Sequence, residues 1–581
     1  MRPARHTYAR NVTTAWPVPN YWDVIAIILV LAIIVLLGHG AVAMVGKFQV
    51  GQQIQISLNP IYLPYYALRT VIRMFVAMFF SLLFMFVFGT WAAKSRYAGR
   101  IIIPIIDILQ SVPVLGFLTI TVVGFVTLFR GSLLGPECAA IFAIFTAQVW
   151  NMTLSFYQSL RTVPEDLHEA AVMFQLSPWQ KFWRLEVPFA MPGLVWNAML
   201  SMSGSWVFLV ASESISVANQ NITLPGIGSY IALAILQMNV TAVMYVILTM
   251  IIVIALYDQL LFRPLVAWSE KFKVEVDVGE VESESWLLNL FQRTHFLRFV
   301  GQYFSWLGDK FVNFRLFRRR VVKRVIRQYD PFWRKVGAIS WNVLLVLFIL
   351  LALFILARFI FAAVPWSETV HVFYLGFATA LRVTILIFFS SLIWVPIGVW
   401  VGLNPKASRI VQPVAQFCAA FPVNLLFPIV VMAIVNYHLN VNIWTSPLMI
   451  LGTQWYILFN VVAGTTALPK TLRHAAATLN VHGWLWWKRL ILPGIFPYYI
   501  TGAITAAGGA WNISIIAEAV SWGNIHLKAT GLGAYIADVS RIGDFHRLAL
   551  GITVMSLYVV IINRAMWRPL YNMAVERYRL Q

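Results

Sequence analysis

The sequence predicts an all-α polytopic membrane protein, with about twelve transmembrane helices in two tandem six-helix repeats. Three observations carry this. The chain of 581 residues is 60% hydrophobic and only 11% charged. Its apolar stretches recur at spanning length. Its second half repeats its first in register.

A soluble domain is about a quarter charged. The low charge here, with a mean hydropathy of +0.76, excludes a water-soluble protein. The 43 Lys and Arg against 22 Asp and Glu leave a net charge of +21. No nucleic-acid recognition motif accompanies that charge. It reads as the cationic excess of cytoplasmic loops. Cys138 and Cys418 lie in apolar stretches as small hydrophobes, and the ten histidines form no zinc spacing.

Spanning runs fall near residues 24–45, 66–90, 101–127, 136–158, 190–212 and 240–262. A second set falls near 337–362, 372–402, 409–436, 442–463, 496–517 and 546–566. Ala41-Val42-Ala43 after a basic N-terminus resembles a signal-peptidase site. The run before it is long enough to span, and an equivalent run precedes the second half. An uncleaved first helix is therefore expected. With the N-terminus inside, Lys94, Arg96, Arg100, Arg161, Lys181, Arg184, Lys406, Arg409, Lys470, Arg473, Lys488 and Arg489 fall in inner loops. The outer loops carry few basic residues. Both termini are therefore expected on the cytoplasmic side.

The expected division is 1–265 and 337–581 for the two membrane domains, with a cytoplasmic linker at 266–336. The linker starts acidic and ends with Arg318, Arg319, Arg320, Lys323, Arg324 and Arg327. Two readings are open: a tether lying along anionic lipid headgroups, or a regulatory or partner-binding segment.

The repeat is ungapped over a long stretch. Pro164, Ala170, Ala171, Trp179, Arg184, Pro188, Gly204, Trp206, Glu213, Gly226, Gly228 and Pro264 each recur 305 positions later. Upstream, Arg73, Arg100, Pro104 and Pro113 recur at an offset of 309. Six spans is an even number, so both halves insert alike, related by a pseudo-two-fold along the membrane normal with a path between them.

Between the fourth and fifth spans of each half lies a short helix–turn–helix. Pro164 suits a first helical position, and Glu165 and Asp166 complement the helix dipole. Gln175 and Asn480 fall where the helix must stop. Ser177 and Gln180 form a capping box, and Pro188 and Pro493 are expected to break the chain before the next span.

The run Glu169-Ala170-Ala171, then Phe182, then Val187-Pro188 resembles the EAA motif of type I binding-protein-dependent ABC importer permeases. So does His474-Ala475-Ala476, then Trp487, then Leu492-Pro493. The resemblance implies a bacterial inner-membrane location and coupling helices that dock on ATPase subunits. It places ATPase coupling on Glu169, Ala170, Ala171, Phe182 and Pro188, and on His474, Ala475, Ala476, Trp487 and Pro493. Two positions depart from the motif. Its glycine is Gln175 or Asn480, and the glutamate of the second copy is His474. The stretches from Gly204 to Gly228 and from Gly509 to Gly533 are similar to the nitrate, sulfonate, taurine and bicarbonate branch, which implies a small, anionic solute.

No phosphate-binding loop is present in the chain. ATP and Mg are therefore expected on two separate ATP-binding cassette subunits, with an extracytoplasmic solute-binding protein as a further partner and this chain as a non-enzymatic transport subunit. In the apolar runs the carboxylates that stand out are Asp107, Glu213 and Glu518. Pairs Glu213–Arg73 and Glu518–Arg382 are expected, either as structural or gating ion pairs or on the solute path. Ser205, Trp206, Trp511 and Asn512 are candidates for the path, with core packing the alternative for the tryptophans. A secondary transporter is the competing class. It needs midplane carboxylates for ion coupling, and few are available.

Overall fold

A computed structural model describes residues 21–44, 46, 54–217, 220–272, 286–287, 294–313 and 331–578. The acidic start and basic end of the linker lie outside the described residues. In the first half the helices are α1 (Tyr21–Ala43), α2 (Leu63–Phe84), α3 (Arg96–Ser111), α4 (Val114–Leu128), α5 (Leu134–Arg161), α6 (Glu165–Met173), α7 (Val187–Glu213), α8 (Ile227–Leu236) and α9 (Val240–Tyr257). The linker contributes α10 (His295–Val312). The second half follows with α11 (Pro331–Phe361), α12 (Trp366–Leu403), α13 (Pro405–Ala420), α14 (Phe427–Asn436), α15 (Trp455–Thr466), α16 (Lys470–Thr478), α17 (Leu492–Ala517), α18 (Leu532–Ile542) and α19 (Phe545–Ile562).

The protein is an all-α polytopic membrane protein built as a tandem repeat. Among the described residues, seven helices are long and apolar enough to cross a bilayer, or up to ten if each of three bent pairs is one span. Helices α1 and α11 occupy the places of the first and seventh expected spans. The bent pairs mark where straight spans were expected and do not form. The break between α3 and α4 turns the chain by 101°, and the break after α13 turns it by 77°. Pro113 and Pro422 sit at these breaks in extended conformation, because proline has no N–H to continue the helical ladder.

These broken spans join the halves. Helices α3 and α4 pack on the second half: α3 against α19, and α4 against α17, α18 and α19. In return α13 packs on α7 and α9. Within each half the tightest packing is α5 on α7 and α15 on α17.

The fifth spans are longer than expected. One continuous helical segment runs from Pro178 to Glu213, and its repeat runs from Gly483 to Ala517. Pro188 and Pro493 do not break the chain. Each is preceded by a five-residue π-turn, Phe182–Glu186 or Trp487–Ile491. Pro264 and Pro569 likewise follow π-turns at Asp258–Phe262 and Asn563–Trp567. A proline ring clashes with the carbonyl four residues back. A wider i→i+5 turn just upstream makes room for it without ending the helix.

Outside the helices, among the described residues, are two antiparallel hairpins, which the apolar pattern did not disclose. Strand β1 (Ser214–Val217) pairs with β2 (Gln220–Thr223), and β3 (Ala519–Trp522) pairs with β4 (Ile525–Lys528). Each directly follows a fifth span. The two hairpins keep the 305-residue offset.

Candidate functional site

Each of the two elements that resemble the EAA motif is a short helix followed by a turn. Helix α6 starts at Glu165, so Pro164 is the cap residue in extended conformation, one position earlier than expected. Gln175 closes it in the left-handed region at φ 51°, and Asn480 closes α16 at φ 54°. The amides of Gln175 and Leu176 donate to the carbonyls of Val172 and Ala171, a Schellman closure that α16 repeats. The expected capping box is present: Ser177 Oγ accepts from the Gln180 amide, and Gln180 Oε1 accepts from the Ser177 amide.

A left-handed glutamine carries a steric cost of roughly 1–2 kcal/mol. Gln175→Gly should therefore raise the midpoint of thermal unfolding and slow hydrogen exchange across α6. An unchanged midpoint and exchange pattern would show that the cap is not limiting.

Around these turns, Glu169 is exposed, Ala170 half-buried and Ala171 buried. In the second copy His474 and Ala475 are exposed and Ala476 is half-buried. Phe182 is buried under the Lys94 ammonium, 4.7 Å from the ring centre, while Trp487 is half-buried. Pro188 and Pro493 sit behind their π-turns. Residues not anticipated from the motif are the apolar tips: Val172, Met173 and Phe174 are exposed, as is Leu479, the repeat partner of Phe174. The available signal was the apolar run Val172-Met173-Phe174 at the end of a short helix in a polar loop.

At the far end of α7 lies a buried charge network. Arg73 Nη1 donates to Glu213 Oε1 at 2.6 Å, the expected pair. The guanidinium also grips Glu137, with Nε to Oε2 at 2.5 Å and Nη2 to Oε1 at 2.8 Å. Arg69 Nη2 adds a 2.6 Å bond to the same carboxylate. Two arginines thus meet two glutamates with no net charge. Glu137 was not anticipated, because it sits at the first turn of its span. The signal for it was the i, i+4 spacing of Arg69 and Arg73: two buried cations need two anions.

Glu213 is further fixed by Thr70 Oγ1 at 2.7 Å and by the Gly228 amide, which donates to Oε2 at 2.6 Å. That amide lies in the first turn of α8, where helix-end N–H groups favour an anion. A Cβ on Gly228 would lie 2.0 Å from the Val210 carbonyl oxygen, and one on Gly226 would lie 2.3 Å from the Glu213 carboxyl carbon. Glycine is required here for close approach. The second half repeats the design more sparsely. Arg382 pairs with Glu518, Thr379 donates to Glu518 at 2.9 Å, and the Gly533 amide donates to it at 2.7 Å. Ala378 stands where the first half has Arg69.

Between the halves is a cavity of about 570 Å³. Asn197, Ser201, Gly204 and Phe208 of α7 line it, as do Thr501, Thr505, Gly508 and Asn512 of α17. Of the path candidates, Trp511 and Asn512 reach this wall. Ser205 and Trp206 do not: both are fully buried, and Trp206 packs edge-on against Tyr257. The helical period explains the difference. Gly204 faces the cavity, and the next two side chains are rotated by roughly 100° and 200°. Arg73, Glu213 and Glu518 are buried in the networks, and Arg382 is partly exposed outside the cavity wall. No Lys or Arg lines the cavity among the described residues, and Asp107 is its one carboxylate.

Two helical halves that exchange broken spans and share one cavity, each presenting an exposed turn, define a duplicated membrane permease. The chain belongs to the binding-protein-dependent transport system inner membrane component family, the ABC importer permeases. The match occurs twice, over residues 85–263 and 394–566. Over 175 residues the chain is 25% identical to the bicarbonate transport system permease protein CmpB of Synechococcus elongatus, covering 30% of this chain and 60% of that protein. It is 33% identical over 120 residues to the glycine betaine/carnitine transport permease protein GbuB of Listeria monocytogenes, covering 20% and 39%. It is 26% identical over 125 residues to the nitrate import permease protein NrtB of Synechocystis, covering 22% and 42%. The chain thus spans less than two thirds of the length of these relatives.

Proposed function

We propose that this chain forms the whole translocation path of an ATP-driven importer, with two ATPase subunits docked on its two coupling elements. The observation that carries this reading is the continuity of the fifth spans. One helical segment begins directly after the docking turn, holds the cavity-lining stripe in its middle and carries Glu213 at its far end. At about 1.5 Å per residue such a segment is roughly 50 Å long. Movement of a docked subunit passes through the hydrogen-bonded turn at residues 174–177 and then along one helix to the cavity wall.

In this reading both termini and the linker are cytoplasmic. ATP with Mg binds on the partner subunits, whose closure favours one of two arrangements of the halves. An extracytoplasmic binding protein selects and delivers the solute. The Arg–Glu networks are architecture that holds the outer ends of the spans. Among the described residues the cavity offers amide and hydroxyl dipoles, aromatic faces and the Asp107 carboxylate, and no Lys or Arg lines it. A small polar solute, of the kind the bicarbonate and nitrate relatives are named for, is stabilised there without a counter-ion that would retain it.

The test is a pull-down of the tagged chain from mildly solubilised native membranes, beside the double variant Ala170→Asp, Ala475→Asp. The chain should bring down a nucleotide-binding ATPase at two copies each. The variant should reach the membrane in normal amount and lose both the ATPase and ATP-dependent uptake. Uptake that survives the two aspartates would overturn the docking assignment.

A further inference from the structure

Helix α10 is amphipathic, and its apolar face is bare. Val300, Tyr303, Phe304, Leu307 and Phe311 recur at i, i+3, i+4, i+7 and i+11, on one face of a 3.6-residue period. Gln302, Ser305 and Asp309 occupy the other face. Yet Tyr303 is 53% exposed, Phe304 65% and Phe311 51%.

One end of this helix is clamped to the first coupling element. The Trp179 indole donates to the Phe311 carbonyl at 3.1 Å, and Gln180 Nε2 donates to Asn313 Oδ1 at 3.0 Å. The Phe311 ring packs against both Trp179 and Trp183, at 5.1 and 5.6 Å. The helix also packs on α1. Among the described residues the second coupling element has no such clamp: Trp484, the repeat partner of Trp179, is 73% exposed.

We propose that α10 lies in the plane of the membrane, its apolar face sunk into an anionic lipid interface, and that it ties the first coupling element alone to the bilayer surface. The proposal rests on the cytoplasmic placement of the coupling elements. Three features commit the occupant to lipid. A bare apolar stripe with tyrosine and tryptophan beside it suits the headgroup boundary. Lys310 Nζ sits 3.7 Å over the Trp306 ring, a cation held close to the aromatic band. The sequence that follows, residues 314–330, carries seven Lys or Arg and one acidic residue, the charge that anionic headgroups attract. The two coupling elements are then mechanically unequal: one is tethered through Phe311 and Asn313, and the other is free.

The test uses the full chain with Cys138 and Cys418 replaced by Ser, carrying Phe304→Cys or Gln302→Cys labelled with an environment-sensitive fluorophore. It is placed in discs of phosphatidylcholine, with or without phosphatidylglycerol, and no ATPase is added. The label at 304 should be blue-shifted and quenched by brominated lipid, more strongly with phosphatidylglycerol, while the label at 302 stays water-like. In parallel, the Gln180→Cys, Asn313→Cys pair should cross-link several-fold more than the pair Leu485→Cys, Asn313→Cys. Equal, water-like signals at 302 and 304 in both lipids would overturn the lipid assignment. Protection at 304 only after an ATPase is added would do the same, in favour of a protein surface. Equal cross-linking of the two pairs would overturn the one-sided tether. Because the label is read without an ATPase, failure of the permease reading leaves this result standing on its own.

Discussion

Arg73→Met should leave little folded protein after detergent extraction, whereas Arg382→Met should survive with a modest loss. Arg73 is fully buried and satisfies two carboxylates and, through Nη2 at 3.0 Å, the Pro225 carbonyl. Removing it leaves Glu137 with Arg69 alone and Glu213 with no cation at all. Breaking a buried ion pair from one side costs about 3–5 kcal/mol, because the remaining charge stays out of water. Arg382 serves one carboxylate, and its side chain is 12% exposed. Water can enter as it leaves, so a cost of about 1–3 kcal/mol is expected. Arg73→Lys should fall between, since an ammonium cannot span two carboxylates as a planar fork does. Thermal unfolding followed by size-exclusion chromatography ranks the three. Equal losses for Arg73→Met and Arg382→Met would refute the account of the network as two unequal copies.

Gly228→Ala should be nearly as damaging. The added Cβ would meet the Val210 carbonyl oxygen at 2.0 Å, and that oxygen belongs to the backbone of α7 and cannot swing aside. Helix α8 must back away, which takes the Gly228 amide off the Glu213 carboxylate. Overpacking of this kind costs about 1–3 kcal/mol, and the lost charged hydrogen bond adds to it. Gly533→Ala should act in the same direction, its Cβ falling 2.4 Å from the Ser514 carbonyl oxygen. Gly124→Ala is the control: nothing lies within 4 Å of its Cβ, so it should be neutral or slightly stabilising. The same unfolding assay decides the matter. A Gly228→Ala protein as stable as the control would show that α8 can relax away from α7 at no cost.

The sequence by itself determined the membrane class, the duplication, the two helix–turn–helix elements with their caps, and the Arg–Glu pairs. Each of these rests on short-range chemistry or on the repeat. Apolar runs of bilayer length recur along the chain, a capping box spans three residues, and a buried glutamate in each copy calls for a cation in each copy. The tertiary structure alone decided what depends on partners distant in the chain. Glu137 became visible only once α5 was set against α2. That Gly204 and Asn512 face the cavity while Ser205 and Trp206 do not is a matter of helix rotation, which packing sets and composition does not. Prolines 188 and 493 read as breaks, but the chain widens into π-turns because the helix on either side is held in place by neighbours. The two copies of the docking turn carry the same tryptophan at 179 and 484. Among the described residues α10 packs on the first and leaves the second exposed, because this linker helix occurs once in the duplicated chain and sits on its first half.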